Sequence, residues 1–207
     1  MPPVALPCPS WEYENHPQHA AVMPLRVVEI LASITDSAAC ASTAIDTRPA
    51  HRKMLAELTP PGYDYYAGHY RGEDFPCLRM RAVMIPADPR VGVPANTVLE
   101  RMTRLSASIR DGIAILDRQV PITTKDHKRI LFFICSVFVN FLTVHPYLNG
   151  NGHAARVILW CILRRYGFWP LWQIDVHPPD PPYSELISRY RSGEKGPLEQ
   201  YVLQWLV

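Results

Sequence analysis

"HPYLNGNGHAAR", residues 145–156, separates two long apolar runs, and its reading decides the fold. Ahead of it, "ILFFICSVFVNFLTV" (130–144) is apolar nearly all round, the mark of a helix buried in a core. Behind it, "ARVILWCILRRYG" (155–167) reads as a second core helix, ended by Gly167 behind Arg164 and Arg165. Between them, Gly150 and Gly152 let the backbone take positive φ and let a ligand come close. The second helix starts at once, so its free N–H groups and positive dipole end face the turn, which makes an anion site.

The residues around that turn carry chemistry. Arg156, one turn into the helix, offers a bidentate contact to a phosphate oxygen. His145, on the other lip, is a general base of near-neutral intrinsic pKa. Asn149 and Asn151 offer amide donors to phosphate or carbonyl oxygens to a metal. A transition-metal site built on His145 and His153 lacks a third ligand at a sensible spacing.

The rest of the chain reads as helical. "LRVVEILASI" (25–34) places Val27, Val28, Ile30, Leu31 and Ile34 at helical spacing, and "RPAHRKMLAELTPPGY" is a short helix stopped by Pro60, Pro61 and Gly62. "CLRMRAVMIPADPRVGVP" (77–94) holds two short extended runs around the turn signal "ADPR", which predicts a small β-hairpin. From Asn96, Val98, Met102, Leu105, Ile109 and Ile113 form one apolar stripe. Thr124 suits the cap of the helix that follows, and two amphipathic segments near 183–192 and 197–206 close the chain. The fold class expected is all-α with one hairpin.

With 207 residues the chain suits one domain, and a second full domain would be cramped. A formal net charge of +2 argues for no nucleic-acid partner. Its 21 prolines, roughly twice the average share, cluster at the start and in "HPPDPPY", as ordered turns or connectors. Cys8, Cys40, Cys77, Cys135 and Cys161 form no CxxC and no close pair, which predicts reduced thiols and a cytoplasmic protein. The 130–144 run falls short of the roughly 20 residues that span a bilayer, so a core helix rather than a membrane segment is expected.

The motif resembles the signature of the Fic (Fic/Doc) family, HPFx(D/E)GN(G/K)RxxR, which sits between the two central helices of an all-α domain. His145, Pro146, Gly150, Asn151, Gly152 and Arg156 match in spacing, and Tyr147 stands for the usual Phe. "AGHYRGEDFPCLRMRAVMIP" is similar to the family segment in which a Gly-x-Tyr-Arg motif leads into a flap hairpin, and "YSELISRYRSGEKGPLEQYVLQWL" to its C-terminal helices. The resemblance implies a Fic-type helical bundle with a β-hairpin flap, with residues 63–207 as the core and 1–62 as an N-terminal helical region. It implies a protein adenylyltransferase that uses ATP with Mg2+ or Mn2+ to place AMP on a Ser, Thr or Tyr hydroxyl of a target protein. His145 would deprotonate that hydroxyl. Asn149, Gly150, Asn151, Gly152, His153 and Arg156 would hold the phosphates. Arg81, Ala82, Val83, Met84 and Ile85 would align the target as an added strand.

Two positions depart from the signature. Asn149 replaces the acidic residue that binds Mg2+, leaving a neutral oxygen as the metal candidate. His153 replaces an arginine, and so removes a permanent cation. Changed chemistry is the alternative these departures leave open: removal of AMP, transfer of another phosphate-linked group, or a silent nucleotide- or partner-binding module. A homodimer is compatible with either reading. "SWEYEN" (10–15) also fits the family's inhibitory motif [ST]xxxE[GN], through Ser10, Glu14 and Asn15. That implies an inhibitory helix over 10–16 whose Glu14 pairs with Arg156.

Overall fold

A computed structural model describes residues 8–85, 88–118, 124–169, 174–204 and 206, with the side chains of 124 and 125 left aside. Eight α-helices carry the described residues: α1 (His19–Ser33), α2 (Ser37–Ile45), α3 (Arg48–Leu55), α4 (Ala95–Asp117), α5 (Thr124–Val144), α6 (Asn151–Arg165), α7 (Tyr183–Arg191) and α8 (Gly196–Leu203). The all-α class is what the pattern predicts. Helices α5 and α6 form the centre, flanked by α2 and α4 on one side and by α7 and α8 on the other.

The apolar stripe of α4 is the buried one: Val98, Met102, Leu105, Ile109 and Ile113 all face the core. Along α5, Ile130, Ile134, Cys135, Phe138 and Phe141 are almost wholly enclosed. The stretch Asp126–Val144 is long and apolar enough to cross a membrane, yet more than half of it is buried against other helices here. α6 ends in a Schellman cap: Gly167 takes φ +82°, its N–H bonds the Arg164 carbonyl at 3.2 Å, and the Phe168 N–H bonds the Leu163 carbonyl at 3.1 Å.

Four expectations need correction. The helix expected over 10–16 is only a three-residue 3-10 turn, Tyr13–Asn15. Pro17 disfavours helical backbone at the residue before it, and His16 accordingly sits at φ −72°, ψ 131°. Helix α1 begins at His19, earlier than the apolar run suggests, and Val28 is 63% exposed because it falls on the outer face. No β-ladder forms among the described residues of 77–94. Arg81–Ile85 has no regular structure and no strand partner among the described residues, and residues 86 and 87 of the expected hairpin lie outside the described residues.

The fourth correction concerns the cysteines. Cys8 and Cys77 form a disulfide with Cα atoms 5.6 Å apart, while Cys40, Cys135 and Cys161 are free and buried. Spacing along the chain gave no sign of this pair because folding, across a separation of 69, brings the two together. Disulfides persist in oxidising compartments, so cysteine spacing no longer supports a cytoplasmic location.

Candidate functional site

The α5–α6 turn forms the floor of a cleft of about 520 Å3. His145, Asn149 to His153, and Arg156 line one side. Tyr13, Glu14 and the start of α1 line the other, with Asp175–His177 closing the end. The sequence-predicted phosphate and base residues are therefore brought together. The flap residues and Ser10 are not among those lining the cleft, and Ser10 is exposed.

Helix α6 has Gly150 as N-cap at φ +72°, and no side chain caps it. The Ala154 N–H bonds the Gly150 carbonyl at 3.1 Å, whereas the N–H groups of Asn151, Gly152 and His153 have no acceptor among the described residues. Three unpaired donors at a positive helix end are an anion seat. Arg156, 2% exposed, curls back towards it, with Nη1 3.2 Å from where a Cβ on Gly152 would stand. Among the described residues no carboxylate pairs with Arg156. Its Nε donates to the Ile174 carbonyl at 2.9 Å, and its Nη2 lies 2.8 Å from His153 Nδ1.

The two asparagines are already engaged. Asn151 closes a ring with the Tyr147 backbone, accepting its N–H at 2.9 Å and donating to its carbonyl at 3.0 Å, so it shapes the turn. Asn149 accepts the Gly150 N–H and donates to the Trp11 carbonyl and to Glu12. No group of three His, Cys, Asp or Glu residues that could hold a metal occurs among the described residues. A neutral amide stands at the expected metal position.

His145 ends α5 in the left-handed region at φ +52°, the sole non-glycine there among the described residues. Backbone strain of this kind persists where the surroundings impose it. Here Arg71 imposes it. Its guanidinium is fully buried with no carboxylate near it, and donates to the carbonyls of His145 (2.8 Å), Val144 (3.1 Å), Arg81 (2.9 Å) and Val93 (3.1 Å). One side chain thus ties the end of α5 to both ends of the flap. Burial, and then the cations Arg71 and Arg191, push the His145 imidazole down to about 4, so it is neutral and able to accept a proton at pH 7.

A second histidine, unmarked in the sequence, supports the turn from beneath. His51 on α3 is wholly buried; its Nδ1 accepts the Gly68 N–H at 2.9 Å, so Nε2 carries the proton and donates to the Asn149 carbonyl at 2.9 Å. Its ring stacks on Tyr147 with centroids 3.6 Å apart, and the Tyr147 hydroxyl meets Thr47 Oγ1 at 2.8 Å. Burial pushes its pKa down to about 3.

The N-terminal segment lies across the cleft. Trp11 anchors it by donating to the Leu58 carbonyl at 2.8 Å and packing against Tyr66. Tyr13 hydrogen-bonds His153 Nε2. His153 Nδ1 stands 2.7 Å from the Ile174 carbonyl, which can only accept, so Nδ1 carries the proton and Nε2 accepts from the Tyr13 hydroxyl. Burial, and then the adjacent Glu14, hold the Tyr13 hydroxyl well above the usual phenol range, so it stays protonated. The implied Glu14–Arg156 ion pair does not form. Glu14 lines the cleft, and Tyr13 makes the contact with the α6 side, at His153. Tyr13, Glu12, His51 and Arg71 are the residues that motif reading left without a role.

No family model matches the chain, and no curated protein matches it.

Proposed function

We propose that this chain is a Fic-type protein adenylyltransferase held inhibited by its N-terminal segment. The observation that carries the reading is the shared cleft. A neutral imidazole, three unpaired helix N–H groups and a buried guanidinium free of carboxylate partners line one space large enough for a nucleotide. Phosphoryl-type transfer needs this combination, because positioning and charge neutralisation do most of the work.

In this reading His145 takes the proton from a Ser, Thr or Tyr hydroxyl of the target as its oxygen attacks the α-phosphorus of ATP. The bond to the bridging oxygen breaks, pyrophosphate leaves, and His145 returns the proton to the leaving group or to water. The N–H groups of Asn151, Gly152 and His153 hold phosphate oxygens, and Arg156 adds a cation. Asn151 contributes through its backbone, since its side chain is committed to Tyr147. Magnesium would arrive with ATP as part of the substrate, with the Asn149 side-chain oxygen as the chain's candidate ligand.

The flap fits target alignment. Ala82, Val83 and Met84 make no backbone hydrogen bond among the described residues, and Met84 is 79% exposed. An extended target segment can pair with those groups. The inhibited state follows from Tyr13, Glu12 and Glu14, which bring a phenol and two carboxylates to where phosphates would lie.

Intact mass after incubation with ATP and Mg2+ or Mn2+ tests the proposal, using wild type, Glu14→Gly and Glu14→Gly/His145→Ala. AMP added in the single variant and lost without His145 is the expected result. Mass unchanged in all three, with ATP binding measured by calorimetry, would sink it and leave a silent nucleotide-binding module.

A further inference from the structure

We propose that the Cys8–Cys77 disulfide is a redox latch: bridged, it holds the N-terminal segment over the cleft, and reduced, it lets that segment leave. The latch rests on reading the cleft as a nucleotide site.

The two ends of the bridge differ in kind. Cys77 is 7% exposed and sits in a turn fixed by Leu78 and Arg79 N–H bonds to the Phe75 carbonyl, with the Leu78 carbonyl accepting the Gly72 N–H. Gly72 adjoins Arg71, so Cys77 belongs to the scaffold that holds the end of α5. Cys8 is exposed and stands three residues ahead of Trp11. One end is therefore fixed, and the other starts the segment that covers the site.

Two side chains do most of the remaining holding. Glu12, Glu14, Asn15, Pro17 and Gln18 are exposed, and among the described residues before His19 one 3-10 turn is the only helical backbone. Trp11 and Tyr13 are its two buried anchors; Trp11 donates to the Leu58 carbonyl and accepts from Asn149, Glu12 accepts from Asn149, Tyr13 bonds His153, and Tyr66 donates to the Pro9 carbonyl. A segment pinned at two aromatic side chains, with its other residues in solvent, can open as a local unit. A covalent tether at Cys8 keeps its effective concentration at the cleft high and makes the covered state the dominant one.

The remaining thiols do not compete for exchange. Cys40, Cys135 and Cys161 are buried, and their burial raises each of their pKa values, that of Cys135 to about 12. A dithiol reductant therefore meets one reachable target. Its thiolate attacks the exposed Cys8 sulfur, the S–S bond breaks, and Cys77 leaves as a thiolate that takes up a proton. The reductant's second thiol then displaces Cys8, closing the reductant's own disulfide. Two electrons and two protons pass from the dithiol to the pair, and a disulfide oxidant reverses the exchange.

Hydrogen exchange by mass spectrometry tests the latch on wild type, oxidised and dithiol-treated, and on Cys8→Ser, whose exposed position spares the core. ATP affinity is measured on the same samples. Bridging is verified first by thiol alkylation. Amides 11–15 should exchange about tenfold faster, and ATP should bind about tenfold more tightly, in reduced wild type and in Cys8→Ser than in the oxidised form. Equal exchange in all three overturns the latch, as do free thiols at both positions under a disulfide oxidant. A dithiol effect that persists in Cys8→Ser also overturns it. Exchange that differs while no form binds ATP upholds the latch and removes the nucleotide reading.

Discussion

The Nε of Arg71 lies 2.8 Å from the carbonyl oxygen of His145, across 74 residues of sequence, and the same guanidinium reaches the flap at Arg81 and Val93. His145 and the 81–93 segment are therefore set by one side chain, and in the proposed reaction Arg71 is a positioning residue. A lysine keeps the charge but cannot serve four carbonyls in a planar fork. Arg71→Lys should cost about 2 kcal/mol through carbonyls left unpaired, and should lower transfer about 100-fold through misplacement of His145. Thermal unfolding and AMP incorporation in a Glu14→Gly background check both. Transfer at the parental level in a folded Arg71→Lys protein would refute the coupling.

The imidazole of His145 is pushed from its ordinary 6.5 down to about 4 by burial and by Arg71 and Arg191. The base works in its neutral form, which the free enzyme holds at every pH above that value. In a Glu14→Gly background, kcat/KM for AMP transfer should therefore stay flat from pH 8 down to about 5 and fall only below it. A midpoint near 6.5 would mean that the buried environment of His145 is not the one that operates.

Much of this arrangement was legible in the sequence, and the remainder fails for identifiable reasons. The stripe of α4 and the runs of α5 and α6 are long and strongly apolar, so periodicity reveals them. Helix α2 escapes because "SAACASTAI" packs through small residues, Cys40 and Ala44, that give little hydrophobic signal. Only its cap is readable afterwards: the Asp36 carboxylate accepts the Ala39 N–H at 2.7 Å. The turn motif located the start of α6 and its uncapped N–H groups because glycines and helix start are local features. Tyr13, His51 and Arg71 act across separations of 140, 98 and 74 residues; the Gly-x-Tyr-Arg motif marks Arg71 without giving its partners, and nothing local marks the other two. The disulfide escapes for the same reason.

Gly150 is under two constraints, a φ of +72° and a crowded neighbourhood. A Cβ there would stand 2.5 Å from Leu55 Cδ1 and 3.1 Å from His51 Nε2. Gly167, at φ +82°, has nothing within 4 Å of the same position. Backbone strain alone should cost Gly167→Ala about 1 kcal/mol. Gly150→Ala adds displacement of the His51 buttress and should cost about 3 kcal/mol. Urea unfolding of the two variants separates strain from crowding. Equal losses would show that His51 and Leu55 yield without resistance, and the buttress would lose its support.

His51 also sets a pH dependence of stability. Its pKa is held at about 3 by burial, against an ordinary value of 6.5. Between those values the unfolded chain binds a proton that the native ring does not. The unfolded state then holds more protons, so stability is full above pH 6.5 and declines as pH falls towards 3. At pH 5 the loss from this one group is roughly 2 kcal/mol. In His51→Gln the amide N–H can still meet the Asn149 carbonyl, and the titrating group is gone. The difference in unfolding free energy between pH 7 and pH 5 should therefore shrink by about 2 kcal/mol relative to wild type. His145 and His153, both pushed down to about 4, should keep part of the slope. If the wild-type and His51→Gln slopes coincide, His51 is protonated in the native state, and its place as a neutral bridge between Gly68 and Asn149 falls with it.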